Sequence, residues 1–168
     1  MRKTVSVQTT AVLMGHYNAA RLLGDKSVSS DAMLVIDGHE ELTLLTKQFP
    51  WPVIGVMGEI EVPGPMGLQS WQPQALKTAH QGPLTLSETV SGSIAKFLAD
   101  VAAGGAKFQA TAYEGTPEAF HYAWKLRDCF FVPESPDRDW ENRSQVTNVT
   151  GTLFFHFFGE KIAGNIVV

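Results

Sequence analysis

Hydrophobic and polar positions alternate along much of this chain, and alternation of period two predicts strands. The clearest case is TGTLFFHFFGEK, Thr150 to Lys161, which overlaps a predicted strand over 145–158. Leu153, Phe155 and Phe157 share one side of it, and Phe154, His156 and Phe158 share the other. A strand at the surface of a soluble monomer is apolar on one side only. This one needs two apolar neighbours. The first is the domain's own core. The second is either another layer of the same domain or a different protein chain.

Similar alternation predicts a strand at residues 82–90, GPLTLSETV, with Leu84, Leu86, Glu88 and Val90 on one side. It predicts two more at Lys107–Tyr113 and Phe120–Phe131, joined by a turn at EGTPE. In the second of these, Phe120, Tyr122, Trp124 and Leu126 lie opposite His121, Ala123, Lys125 and Arg127. Asp37-Gly38 sits between two β-rich runs and predicts a two-residue hairpin, because both turn positions must accept positive φ. An extended segment is expected near Val53–Val62. One stretch has helical period: in GSIAKFLADVAAGG, Ile94, Phe97, Leu98 and Val101 fall at i, i+3, i+4 and i+7. Ser91 or Ser93 is the expected cap of this helix, about residues 93–103, and Gly104-Gly105 its end.

Two stretches fit neither period. Residues 1–30 show weak alternation at Val5, Val7, Val12 and Met14, and are expected as an N-terminal arm that orders against something else. Pro63 to Gln74, PGPMGLQSWQPQ, is rich in Pro and Gly and is expected as a long loop over 63–75. It carries Met66, Leu68 and Trp71, which either fold back onto their own domain or reach a partner. Residues 31–168 then form a single domain. Strands, one helix and three further strands imply a mainly β fold: an antiparallel β-barrel or sandwich with one flanking helix.

Composition sharpens this picture. Charged residues make up 18% of the 168 residues, against about 25% in ordinary globular proteins, and there are 10 Phe. A globule low in charge often covers part of its surface with something else. Net charge is −4 and no basic run stands out, so nothing supports a grip on nucleic acid through phosphates. The single Cys129 excludes an intrachain disulfide. No apolar run approaches the ~20 residues of a membrane helix, so no membrane anchor is expected.

Candidate chemistry is sparse. His16, His39, His80, His121 and His156 have no second ligand at metal spacing on the same element. Ser93-Ile94-Ala95-Lys96 matches Ser-x-x-Lys but lacks the companion motifs of that nucleophile. Asp137, Asp139 and Glu141 alternate like the start of a calcium loop, without its sixth-position Gly and twelfth-position Glu. No catalytic, metal-binding or cofactor-binding residue is therefore expected.

The run from GPLTLSETVSGSIAKFLADVAAGG through KFQATAYEGTPEAFHYAWKLRDCFFVPESPDRDWENRSQVTNVTGTLFFHFFGE resembles the tail tube proteins of contractile-tailed bacteriophages. DAMLVIDGHEELTLLTKQFPWPV is similar to their early hairpin. The resemblance lies in element order and covers about residues 31–160. It implies the fold shared with the inner-tube protein of type VI secretion systems. It also implies a virion protein, assembled in the host bacterial cytoplasm, whose hexameric rings stack into a hollow tube inside a contractile sheath. DNA would pass through the lumen without being gripped. Its partners would be itself, the sheath, and baseplate or terminator proteins. Phe154, His156, Phe158, Met66, Leu68 and Trp71 are then the candidate subunit interface. A baseplate or tube-initiating protein of the same fold is an alternative. From another class, so is a monomeric barrel around a small apolar ligand.

Overall fold

The computed structural model describes residues 9–166. Val5 and Val7 of the expected arm lie outside the described residues. The chain divides into two units, Met1–Asp31 and Ala32–Val168.

The first unit holds one helix, α1, Thr10–Leu22. The alternation at Val12 and Met14 does not make a strand. Leu13 between them and the helix formers Ala11, Ala19, Ala20, Arg21 and Leu22 favour the helical state. The Thr9 hydroxyl accepts from the Val12 N–H at 3.4 Å and caps the start. Arg21 in the last turn suits the negative end of the helix. No residue of α1 is buried.

The second unit is built on one antiparallel sheet. Its strands are β1 (Ala32–Ile36), β2 (Thr46–Gln48), β5 (Ala79–Ser87), β6 (Phe108–Thr116), β7 (Ala119–Pro133), β8 (Asn148–His156) and β9 (Lys161–Ala163). Their spatial order is β1-β6-β7-β8-β5-β2, with β9 also pairing β7. β7 is the long element. It pairs β6 along Ala119–Cys129 and β8 along Arg127–Pro133. The handover occurs at a bulge where Asp128 takes φ 45°. Gln109 pins that bulge from both sides: its amide donates to Asp128 Oδ1 at 3.0 Å, and its carbonyl accepts from the Asp128 N–H at 3.2 Å. The bend curls the sheet into a nearly closed, barrel-like wrap around a single apolar core.

The wrap corrects one sequence expectation. Asp37-Gly38 does turn the chain, with Gly38 at φ 82°, but no returning strand follows. Residues Glu40–Leu45 form a 3-10 turn that drops Leu42 into the core. β1 then pairs β6 while β2 pairs β5, at opposite ends of the strand order. Long-range pairing that buries Leu34, Ile36 and Leu42 wins over the local hairpin. The β6–β7 hairpin forms as expected, register Thr116↔Ala119 at its turn.

α2, Ser93–Ala103, lays its stripe on the core: Ile94 and Phe97 are buried, and Leu98 and Val101 pack beside them. Phe97 meets Phe108 edge-on at 5.7 Å and His39 at 5.0 Å. The glycines end the helix as expected, but the expected serine cap is replaced. Gly92 precedes the helix at φ 77° and carries no side chain to cap it. The Glu88 carboxylate instead accepts from the Ile94 and Ala95 N–H groups at 2.9 and 3.0 Å. Thr89 Oγ1 accepts from the Ser93 N–H at 3.1 Å.

Partial burial alone would raise the Glu88 pKa. The N–H groups of Ile94, Thr89 and Ala95, with the Arg138 charge, outweigh it and hold the carboxyl below its ordinary 4.5. A depressed carboxyl contributes stability that is present above its unfolded value and lost as pH falls through the folded one. Glu88→Gln is therefore expected to cost about 1 kcal/mol at neutral pH. The difference from the parent should shrink as pH falls below the ordinary 4.5 and through the lowered folded value, measured by urea unfolding across pH.

The expected loop at 63–75 is also corrected. β3 (Glu59–Pro63) and β4 (Gln69–Pro73) form a second, two-stranded sheet turned at Pro65–Gly67, where Met66 takes φ 58°. The ladder continues below it, through Met57 N–H to Ala75 O and Lys77 N–H to Gly55 O, both 2.9 Å. Residues 55–77 are thus one ribbon. Its Pro and Gly residues sit at strand ends and in the tip, which masks the strand signal in the sequence.

Candidate assembly surfaces

The two sides of β8 are now distinguishable. Val149, Leu153 and Phe155 point into the core with almost no exposure, and Phe157 follows them just past the strand end. The opposite side carries Phe154, His156 and Phe158. Phe154 is half-buried because Phe130, its register partner on β7, stacks flat on it at 4.8 Å with planes 8° apart. His156 is also half-buried and lies opposite Arg127. The Arg127 guanidinium grips the Glu160 carboxylate with two hydrogen bonds, the second 2.7 Å long. That hydrogen bonding raises the Arg127 pKa and lowers that of Glu160. Phe158 has no such cover and is 61% exposed. The outer side is therefore an aromatic strip, roofed by Phe130 at one end and open at the other.

The ribbon supplies the second candidate surface. Met66 is fully exposed at its tip, and Leu68 and Trp71 are each about two-thirds exposed. None folds back onto the domain. Register pairs Glu61 with Trp71 and Ile60 with Gln72, so Trp71 shares a ribbon face with Glu59 and Glu61. No ribbon residue from Val53 to Leu76 is buried. Trp140, in the polar loop after β7, is 95% exposed and drew no notice in the sequence because its neighbours are charged.

Ser93 and His80, two of the side chains singled out for chemistry, have structural partners, whereas His156 Nδ1 is buried without a hydrogen bond. The Ser93 hydroxyl is hydrogen bonded to Thr89 Oγ1 at 2.8 Å, within the cap of α2. His80 stacks on Phe155 at 5.4 Å, and its Nε2 meets the Lys77 carbonyl at 3.1 Å. Cys129 is buried, and desolvation, then the Asp128 charge, push its thiol pKa up to about 12. Such a thiol is a poor nucleophile. Among the described residues no group of three His, Cys, Asp or Glu is placed to hold a metal ion. No helix among them is long and apolar enough to cross a membrane.

No protein-family model and no curated protein matches the chain. Solved structures do. A chain of the sheath–tube complex of an extracellular contractile injection system (PVC) matches with TM-score 0.57 at 13% identity, over 86% of this chain and 97% of that one. A chain from the tube-terminating cap of the anti-feeding prophage (AFP) matches with TM-score 0.56 at 12% identity, over 97% and 99%. One from the AFP baseplate matches with TM-score 0.55 at 10% identity, over 85% and 99%. At these identities the likeness establishes the fold: a curled antiparallel sheet with its main helix on one side, of the tail-tube-like kind.

Proposed function

We propose that the chain is a structural subunit of a contractile tail or injection particle. Its copies join into hexameric rings that stack as the inner tube within a sheath. The observation that carries this reading is the outer side of β8: an open aromatic strip on a fold shared, over nearly its whole length, with chains of tube, cap and baseplate assemblies. Ring closure would cover that strip, with Phe154, His156 and Phe158 at the join. Met66, Leu68 and Trp71 on the ribbon would meet further copies. The net charge of −4 suits a lumen that repels phosphates and lets DNA or another acidic cargo move. Sheath and baseplate or terminator proteins would be the outer partners. The particle would be built in the bacterial cytoplasm, and the chain would carry no catalytic role.

A tube-terminating cap is a second reading, favoured by coverage: the AFP cap match takes in 97% of this chain, the PVC tube match 86%. A baseplate or initiating position is supported by the AFP baseplate likeness. The barrel around an apolar ligand loses support, because Leu84, Leu86, Leu126 and Leu153 fill the centre of the wrap.

Negative-stain electron microscopy of the concentrated protein tests the reading. Rings or tubes are expected, and a monomer that never forms either would overturn it. Phe158→Glu is the sharper probe, since the side chain is exposed and its loss leaves the core intact. Burying Phe at an interface is worth about 1.5–3 kcal/mol, so each contact should weaken about 10- to 100-fold. Sedimentation should show this as a raised threshold concentration for assembly, with an unchanged unfolding midpoint.

A further inference from the structure

Among the described residues, 24 large apolar side chains are exposed, and 15 of them stand on two stretches, residues 12–23 and 53–76. We infer that α1 of one copy docks on the β3–β4 ribbon of a second copy. Each element is marginal alone. A 13-residue helix is near the ~12–15 residues below which isolated helices are unstable in water, and α1 buries nothing. A lone two-stranded ribbon is equally marginal.

Charge selects the pairing. Residues 1–24 contain Arg2, Lys3 and Arg21 and no Asp or Glu. Residues 53–76 contain Glu59 and Glu61 and no Lys or Arg; the ribbon's one cation, Lys77, stands at its far end, away from Trp71. Charge and apolar surface also lie side by side on both elements. Arg21 sits one turn beyond Tyr17 with its guanidinium over that ring at 5.8 Å, and Glu61 sits beside Trp71 across the ribbon. Tyr17 against Trp71 with Arg21 against Glu61 satisfies both pairs at once. Every copy carries one helix and one ribbon, so the contact is heterologous and propagates from copy to copy. A membrane surface is the weaker occupant, because Arg21 is the only Lys or Arg within α1 and lipid-bound helices carry a strongly charged face. The pairing rests on the self-assembly proposed above but uses surfaces separate from β8.

The test mixes two full-length variants, Tyr17→Cys and Trp71→Cys, with a short bis-maleimide; the native Cys129 is buried. The expected result is a mixed dimer several-fold more abundant than either variant gives alone. Arg21→Glu should cut its yield about fivefold, and Glu61→Arg in the other partner should restore it. Rings or tubes without the mixed cross-link would overturn the pairing and leave the assembly reading standing. A monomer that gives neither would overturn both. An intrachain cross-link in the double variant at nanomolar concentration would place the pair within one chain and overturn it. So would sedimentation of the full chain with phosphatidylglycerol vesicles that Tyr17→Cys abolishes.

Discussion

Phe97→Ala is expected to cost about 3–5 kcal/mol, the largest loss for any truncation on α2. The ring is 2% exposed, and it joins three parts of the chain: the helix, Phe108 on β6 and His39 before the 3-10 turn. Removing the ring breaks both contacts at once, so the site collapses only partly and a cavity term adds to the transfer term. Net stabilities of domains run to about 5–15 kcal/mol, so the variant should sit near the edge of folding. Urea unfolding should show a much lower midpoint at nearly unchanged slope. An effect below about 1 kcal/mol would mean that α2 is not anchored through this ring.

Gly151→Ala is expected to cost about 3 kcal/mol, by crowding rather than by a void. Gly151 is mid-strand in β8, between Leu84 of β5 and Pro133 of β7. A Cβ there would overlap the Val132 carbonyl oxygen and approach Pro133 Cα at 2.7 Å. Those are backbone atoms and cannot rotate aside, so the β7–β8 ladder itself must shift. The Phe130–Phe154 stack depends on that ladder. Near-ultraviolet circular dichroism should therefore change along with the thermal midpoint. A variant with parental stability and an unchanged aromatic signal would show that the two strands are not this close.

What was legible in the sequence was what is local. The stripe Ile94, Phe97, Leu98 and Val101 repeats within eleven residues and marked α2 correctly. The alternation Leu153, Phe155, Phe157 marked the core side of β8, and EGTPE marked the β6–β7 turn. What was not legible depends on distant partners. Asp37-Gly38 has every local mark of a hairpin, yet β1 finds β6 more than seventy residues on, at Glu114↔Ala32. α1 was hard to read because Val12, Leu13 and Met14 run consecutively and it buries no residue in its own unit. The Glu88 cap reaches six residues forward over a left-handed Gly92, a distance that no capping pattern covers.

The candidate surfaces divide in the same way. The exposed state of Met66, Leu68 and Trp71 follows from their crowding among Pro and Gly, though the ribbon that holds them does not. Half of what happens on the outer side of β8 was hidden, because Phe130 stands 24 positions from Phe154 and reaches it only through the bulge at Asp128. An aromatic residue on the far side of a strand has two possible fates, a roof from its own chain or a roof from another. Along this outer side the first holds at Phe154, and the proposed join supplies the second at Phe158.

The burial of Cys129 has a use beyond silencing its chemistry. The thiol lies in β7 beside the bulge, where the strand passes from β6 to β8, and with a pKa near 12 it is almost wholly protonated at neutral pH. A thiol-reactive dye can label it only when that crossing opens. Its labelling rate is thus a clock for the breathing of the sheet at that bulge. Followed before and after assembly, it would report whether joining copies tightens the wrap, with no change to the sequence.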